Sequence, residues 1–163
     1  MSISELSDIV FGKPPAKITD CNSAHDVAFL LGVEYHILSK LLYPTPSHSY
    51  RYFSIPKKNG SVRTIEAPKK LLKGLQRKLN GYLLGHFNPR PSAHGFIIDR
   101  SIVSNASLHT GKSFILNIDL ENFFSSIHFG RIKKLFQSYP FFLSDVVATV
   151  IAQLCCNKGK LPQ

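Results

Sequence analysis

A mixed α/β fold, with strands interleaved among helices, is what this sequence predicts, and three observations carry the prediction. Two short runs rich in β-branched and aromatic residues flank Asn59-Gly60, the strongest short hairpin signal because both residues tolerate positive φ. Leu72, Leu75, Leu79 and Leu83 recur at helical spacing. A strongly apolar run over 113–118 then ends in a carboxylate, Asp119, which reads as a strand presenting an acid at its end.

The elements follow in order. Ser2-Ile3-Ser4-Glu5 and Ser23-Ala24-His25-Asp26 read as helix-start boxes ahead of apolar runs. The second of these helices should end at Gly32, and a third should run from 34 to about 42, before Pro44. Strands are expected over 50–56 and 62–67, joined by Lys57-Lys58-Asn59-Gly60-Ser61. After Pro68 an amphipathic helix with a basic outer face should cover 69 to about 85, followed by the turn Asn88-Pro89-Arg90-Pro91. A short helix over 102–108 should stop before Gly111, the strand over 113–118 should follow, and a helix is expected near 129–139. Ser144 should cap a last helix with Val147, Val150, Ile151 and Leu154 along one face and Cys155-Cys156 at its end.

A chain of 163 residues, 44% hydrophobic and 11% aromatic, is long and apolar enough for one substantial domain, or for one domain with an extension. Its charge is lopsided: 20 Lys+Arg against 10 Asp+Glu. Between Tyr35 and His94 the basic residues are Lys40, Arg51, Lys57, Lys58, Arg63, Lys69, Lys70, Lys73, Arg77, Lys78 and Arg90, and the only acid is Glu66. Such a region attracts polyanions, although a solvated helix face would look the same. Tyr50, Tyr52, Phe53, Tyr82 and Phe87 are threaded through it, and bases stack on aromatic rings, so nucleic acid is the favoured partner. No apolar run is long enough to span a bilayer, and Met1-Ser2-Ile3-Ser4-Glu5 lacks the basic-then-apolar order of a signal peptide. Cys21, Cys155 and Cys156 form neither a disulfide framework nor a zinc pattern. The expected compartment is a reducing cytoplasm. The histidines have no zinc-like spacing, and glycine-rich phosphate loops and nucleophile elbows are absent from the sequence.

The sharpest chemistry lies around Asp119. An acid after a strand is most often a cap or turn residue, but nucleotidyl transfer needs carboxylates that hold two Mg²⁺ ions, and a rigid strand end pre-positions one. Ile115-Leu116-Asn117-Ile118-Asp119-Leu120-Glu121-Asn122-Phe123-Phe124 resembles the first palm motif of reverse transcriptases, in the form carried by bacterial retron enzymes. Further segments fall in the order of that family. Tyr52 to Gly60 with Val62-Arg63-Thr64-Ile65 resembles the fingers hairpin, and Lys70 to Gln76 the basic helix after it. Ala93-His94-Gly95-Phe96 resembles the next fingers-to-palm motif, and Leu161-Pro162-Gln163 the opening of Leu-Pro-Gln-Gly. Asn105-Ala106-Ser107-Leu108-His109 resembles the Asn-Ala-x-x-His signature of retron enzymes, which disfavours a group II intron-type enzyme. The resemblance covers about residues 50–163.

What the resemblance implies is specific. The fold would be the fingers and partial palm of a right-hand polymerase, with a small helical N-terminal extension, an incomplete palm sheet and no thumb. Its parts would be the extension over 1–45, fingers over 46–110 and the first part of the palm over 111–163. Asp119 would be a catalytic metal ligand, and the Leu120 carbonyl would reach the triphosphate-side ion. Lys57 or Lys58 at the hairpin tip, with Arg63, would contact the triphosphate; which tip lysine does so stays open, and a solvated tip is the plain alternative. Phe124 would lie under the nucleotide sugar and exclude a 2′-hydroxyl, with Phe123 beside it and Gln163 on the sugar or template side. Core packing is the alternative for both rings, and at least one of them is expected in the core. Lys58, Lys69, Lys70, Lys73, Arg77, Lys78, Asn105 and His109 would contact nucleic acid; His109 also suits an ordinary helix end.

The implied partners are an RNA template and primer, the DNA product, dNTPs and two Mg²⁺ ions, with a missing C-terminal half or a retron effector protein as further candidates and no membrane. The implied setting is anti-phage defence. The sequence has no Tyr-x-Asp-Asp, and after Asp119 its acids are Glu121 and Asp145. Asp145 suits a helix start better than a metal. One carboxylate holds Mg²⁺ poorly, so the fragment alone is expected to be inactive. A non-catalytic RNA-binding remnant is the competing reading.

Overall fold

The computed structural model describes residues 15–43, 49–57 and 60–163. The helix expected after Ser2, Lys58 and Asn59 lie outside the described residues. In chain order these form a single-turn 3-10 helix at Ile18–Asp20, α1 (Ala24–Leu31), α2 (Tyr35–Leu42), β1 (Tyr50–Pro56) and β2 (Val62–Pro68). There follow α3 (Lys70–Leu84), α4 (Ile102–Ser107), α5 (Phe123–Ser126), α6 (Phe129–Gln137) and α7 (Asp145–Cys155). The fold is therefore mixed, helices with one small antiparallel sheet of two strands among the described residues. The chain divides into a larger unit, drawn from 1–86 and 122–163, and a smaller one over 87–121.

In the larger unit local chemistry sets the helix ends. Ser23 Oγ accepts from the Asp26 amide at 3.2 Å, while the Asp26 carboxylate accepts from the amides of Asn22 and Ser23, each at 2.8 Å. These backbone donors, Asn22 foremost, hold the Asp26 carboxyl below the usual carboxylate range. α1 stops at Gly32, whose φ of +67° is left-handed, a conformation that glycine adopts without a Cβ penalty. The carbonyls freed at this end do not go unmet: Tyr82 Oη donates to Leu30 O at 3.1 Å and Lys78 Nζ to Leu31 O at 2.8 Å. A Cβ at Gly32 would meet that ammonium at 3.0 Å.

The core follows the sequence periodicity. Leu72, Leu75 and Leu79 of α3 and Val147, Val150, Ile151 and Leu154 of α7 are buried with Val27 and Leu31 of α1 and Leu38 of α2. Burying each such side chain contributes about 1.5–3 kcal/mol. Ser144 caps α7, accepting from the Val147 amide at 3.4 Å. Asp145 opens α7 as a helix-start acid, and Lys133 Nζ at 2.7 Å and Gln137 Nε2 at 3.0 Å bind its carboxylate. Burial pushes the thiols of Cys21 and Cys156 up to about 11 and that of Cys155 to about 12; all three cysteines are free.

β1 and β2 pair from Tyr50↔Pro68 to Pro56↔Val62. The connection closes with Gly60 N to Lys57 O at 3.0 Å and Lys57 N to Ser61 O at 2.7 Å, with Gly60 at φ +81°, as the Asn-Gly signal requires.

In the smaller unit the guanidinium of Arg100 donates to the carbonyls of Arg90, Pro91 and Ala93, and Ser101 with Ser104 forms a reciprocal cap on α4. None of its residues is buried. Here one expectation fails: residues 113–118 form no strand. A strand exists only as part of a hydrogen-bonded ladder, and among the described residues this run enters none. Phe114, Leu116 and Ile118 stand 93%, 83% and 72% exposed. The helices expected over 102–108 and 129–139 end one and two residues earlier, at Ser107 and Gln137.

Candidate nucleotide and nucleic-acid site

The larger unit gathers three segments that are distant in sequence. Arg63 sits on β2 opposite Ile55, and Lys57 follows β1; both are exposed. Alongside β2 runs the 161–163 segment, where the Glu66 amide donates to Gln163 O at 2.7 Å and the Leu161 amide to Ile127 O at 3.0 Å. Gln163 is exposed. Phe123 and Phe124 form the one-turn α5, entered through Asn122 at φ +53°. Their rings meet edge to face at 5.6 Å. Neither is in the core, at 47% and 51% exposure. This corrects the expectation that at least one would be, and for Phe124 the reason is that its ring faces an open concavity and not a packed neighbour. Phe124 instead lines an open concavity of about 300 Å³ with Gln76, Leu79, Leu83, Leu161 and Pro162. α3 thus supplies one wall, and the Leu-Pro segment another.

The basic helix divides its cations. Lys69, Lys70, Lys73 and Arg77 are exposed, available to a polyanion. Lys78, expected with them, spends its ammonium on Leu31 O. The aromatics divide too. Tyr50 is buried, its hydroxyl accepting from Gln76 Nε2 at 3.4 Å, and burial pushes its pKa to about 12. Tyr82 is held by Leu30 O. Tyr52, Phe53 and Phe87 remain between 42% and 52% exposed, Tyr52 with the Lys158 ammonium over its ring, so Phe53 and Phe87 are the more open to stacking.

The smaller unit carries Asp119, Leu120, Asn105 and His109, all exposed. Asn105 lies in α4, and His109 follows the helix with its amide on Ala106 O at 2.9 Å. Close by in sequence, His94 Nδ1 lies 2.9 Å from Ser104 Oγ, while its Nε2 is buried with no hydrogen-bond partner among the described residues. Among the described residues no three His, Cys, Asp or Glu side chains gather into a group able to hold a metal ion. No helix among them is long and apolar enough to cross a membrane.

One residue escaped the sequence reading. Asn157 is fully buried, and its Nδ2 donates to Tyr52 Oη and to Glu66 Oε2, each at 2.9 Å. Tyr52 and Glu66 are themselves cross-strand partners. Among the described residues the acceptor Oδ1 of Asn157 meets no hydrogen-bond donor. After Asn157 the chain turns through Lys158 (φ +49°) and Gly159 (φ +78°), closed by Asn157 N to Lys160 O at 2.8 Å and Lys160 N to Asn157 O at 3.1 Å. Lys158 Nζ lies 4.8 Å over the Tyr52 ring. The tetrad Asn-Lys-Gly-Lys is a turn signal, but no periodicity reveals that its first side chain is buried against β1 and β2.

No family model matches the chain. Curated relatives do. The Retron Mx65 reverse transcriptase of Myxococcus xanthus is 39% identical over 144 residues, 84% of this chain and 32% of that protein. The Retron Ec86 reverse transcriptase of Escherichia coli is 34% identical over 144 residues, 87% of this chain and 44% of that protein. The Retron Se72 reverse transcriptase of Salmonella heidelberg (strain 579083-10) is 30% identical over 152 residues, 93% of this chain and 40% of that protein. The chain thus spans between 32% and 44% of the length of these relatives.

Proposed function

Since this chain belongs, over the stretch it matches, to the retron reverse transcriptases, we propose that it forms the fingers and the first part of the palm of an RNA-directed DNA polymerase. Residues 46–110 are then fingers, 111–163 palm and 1–45 a helical extension. In this reading the enzyme makes DNA on a structured RNA template and serves anti-phage defence, in the cytoplasm.

The observation that carries the reading is the meeting in one unit of Phe124, Leu161 and Pro162 around one concavity, with Gln163 hydrogen-bonded to the strand that bears Arg63. An aromatic wall excludes water from a sugar, and Phe124 would collide with a 2′-hydroxyl, selecting deoxynucleotides. Arg63 and a tip lysine, Lys57 or Lys58, would neutralise triphosphate charge, an effect that grows as the leaving pyrophosphate separates. Lys69, Lys70, Lys73 and Arg77 would hold the nucleic-acid backbone, with Asn105 and His109 contacting the retron RNA.

Asp119 would be one carboxylate of a two-Mg²⁺ site, with the Leu120 carbonyl beside it. The residues described here fit one part of such a site and not the whole, because hard cations need several oxygen ligands. The 163 residues alone should therefore not extend a primer. The test uses the full-length enzyme. Asp119→Asn should reduce primer extension to background while RNA binding is retained; extension that survives would remove the metal assignment. Phe124→Ala should relax discrimination against ribonucleotides, and unchanged discrimination would remove the gate.

The row of exposed cations on α3 also suits a second reading, an RNA-binding remnant without catalysis. Affinity for RNA should then fall steeply as salt rises, whatever stands at position 119.

A further inference from the structure

We propose that Asn157 is a positioning residue for the nucleotide pocket, clamping the Lys158-Gly159 turn to the hairpin so that Leu161–Gln163 is held along β2. This inference rests on the reading above that the concavity takes a dNTP. Three observations meet at Asn157. Its Nδ2 bridges a cross-strand pair, Tyr52 and Glu66, and so touches both strands of the basic hairpin at once. The residue after it places an ammonium over the same tyrosine ring. Four and six residues further on, Leu161 binds Ile127 O and Gln163 binds the Glu66 amide, the main chain of the very residue whose carboxylate Asn157 holds.

The physical consequence is a coupled body. A hairpin bearing Arg63 and the segment bearing Leu161, Pro162 and Gln163 would otherwise be joined through few backbone hydrogen bonds, and a two-stranded ribbon alone is marginally stable in water. A buried side-chain amide with two acceptors on opposite strands fixes their register to the turn, and the left-handed Lys158-Gly159 pair sends the chain back toward α6, where the Phe129 amide binds Gly159 O at 2.8 Å. Asn157 does not itself line the concavity. Its role is to hold the groups that do.

The test is made in the full-length enzyme with Asn157→Ala and, to separate the clamp from folding of the turn, with Tyr52→Phe, which removes a single hydroxyl and keeps the ring. Hydrogen exchange at the Glu66 and Leu161 amides reads the clamp, and the split between KM for dNTP and kcat reads its purpose. Asn157→Ala should speed exchange at both amides and raise KM on the order of tenfold with a smaller change in kcat, and Tyr52→Phe should do the same more weakly. Ile151→Ala, a core truncation at a residue that does not line the concavity, should lower thermal stability and leave KM unchanged. Unchanged exchange at Glu66 in both variants would overturn the clamp. Faster exchange with unchanged KM would overturn the positioning role and leave a structural link. An unaltered enzyme that incorporates no dNTP would instead remove the assignment of the concavity to a nucleotide, and the positioning role with it.

Discussion

The two units of this chain are similarly rich in apolar residues along their strongest segments, yet they treat those residues in opposite ways. In the larger unit α7 buries Val147, Ala148, Ile151, Ala152 and Leu154 completely. In the smaller unit the equally apolar run from Phe114 to Leu120 leaves every large side chain more than half exposed. The difference is one of partners. A helix satisfies its own backbone and needs only a neighbour for one face, and α1, α2, α3 and α6 all supply contacts to α7. A strand needs another strand before its backbone is satisfied at all. The proposed metal-binding Asp119 therefore stands at the end of the segment that depends most on partners from elsewhere, while Arg63, Phe124 and Gln163 belong to the unit that holds the buried core.

The largest test of this contrast is a pair of truncations. Ile151→Ala should cost about 2–5 kcal/mol of stability by denaturant unfolding, because it leaves a cavity in a packed core. Phe114→Ala in the same chain should stay within about 0.5 kcal/mol of the parent, as exposed substitutions do. A comparable loss at both positions would show that the 113–118 run is packed in solution, and the contrast would collapse. The same comparison in the full-length enzyme sharpens it, since there Phe114→Ala should become costly if a palm sheet covers that run.

A smaller effect tests the caps that hold the larger unit. Ser23→Ala should cost about 1 kcal/mol, seen as a lower unfolding midpoint, whereas Ser101→Ala on α4 should not move the same global transition. If both shift it equally, the two units unfold as one.

The smallest effects are those of pH. The Asp26 and Asp145 carboxyls lie below their ordinary range, Asp26 through the Asn22 amide first and Asp145 through Lys133 first. Their contribution is present above about pH 4 and lost as pH falls through their lowered values. Asp26→Asn should therefore flatten the acid limb of the stability curve slightly. At the alkaline end the buried thiols have raised values, so the folded state keeps protons that the unfolded state releases. Stability should then decline from about pH 9 toward pH 11–12; Cys155→Ala should reduce that decline, measured by chemical denaturation at each pH.

Much of the local architecture was legible in the residues themselves. Asn59-Gly60 announced the hairpin, and both strands formed within one residue of the expected bounds. Ser23 with Asp26, Gly32 and Ser144 marked helix ends through short-range hydrogen bonds and a left-handed glycine, which depend on a few neighbouring residues. Leu72, Leu75 and Leu79 reached the core because the helical period is local as well. The likeness to retron reverse transcriptases was also carried by linear motifs and reappears in the curated relatives.

Other features waited on the tertiary structure. Whether residues 113–118 become a strand depends on pairing at long range, and their β-like composition could not supply it. Lys78 reads as one more cation of a basic face, yet the carbonyl of Leu31, 47 residues away, takes its ammonium. Tyr50 and Tyr52 read as stacking rings, but Gln76, Asn157 and Lys158 engage them from other elements. Nothing in its sequence neighbourhood sets Asn157 apart, yet it is buried and its amide bonds both strands of the hairpin. Caps, turns and helical faces are set by interactions a few residues long, and the sequence determines them by itself. The use to which a charge, a ring or an amide is put is set by which distant segments the fold brings to it, and only the tertiary structure decides that.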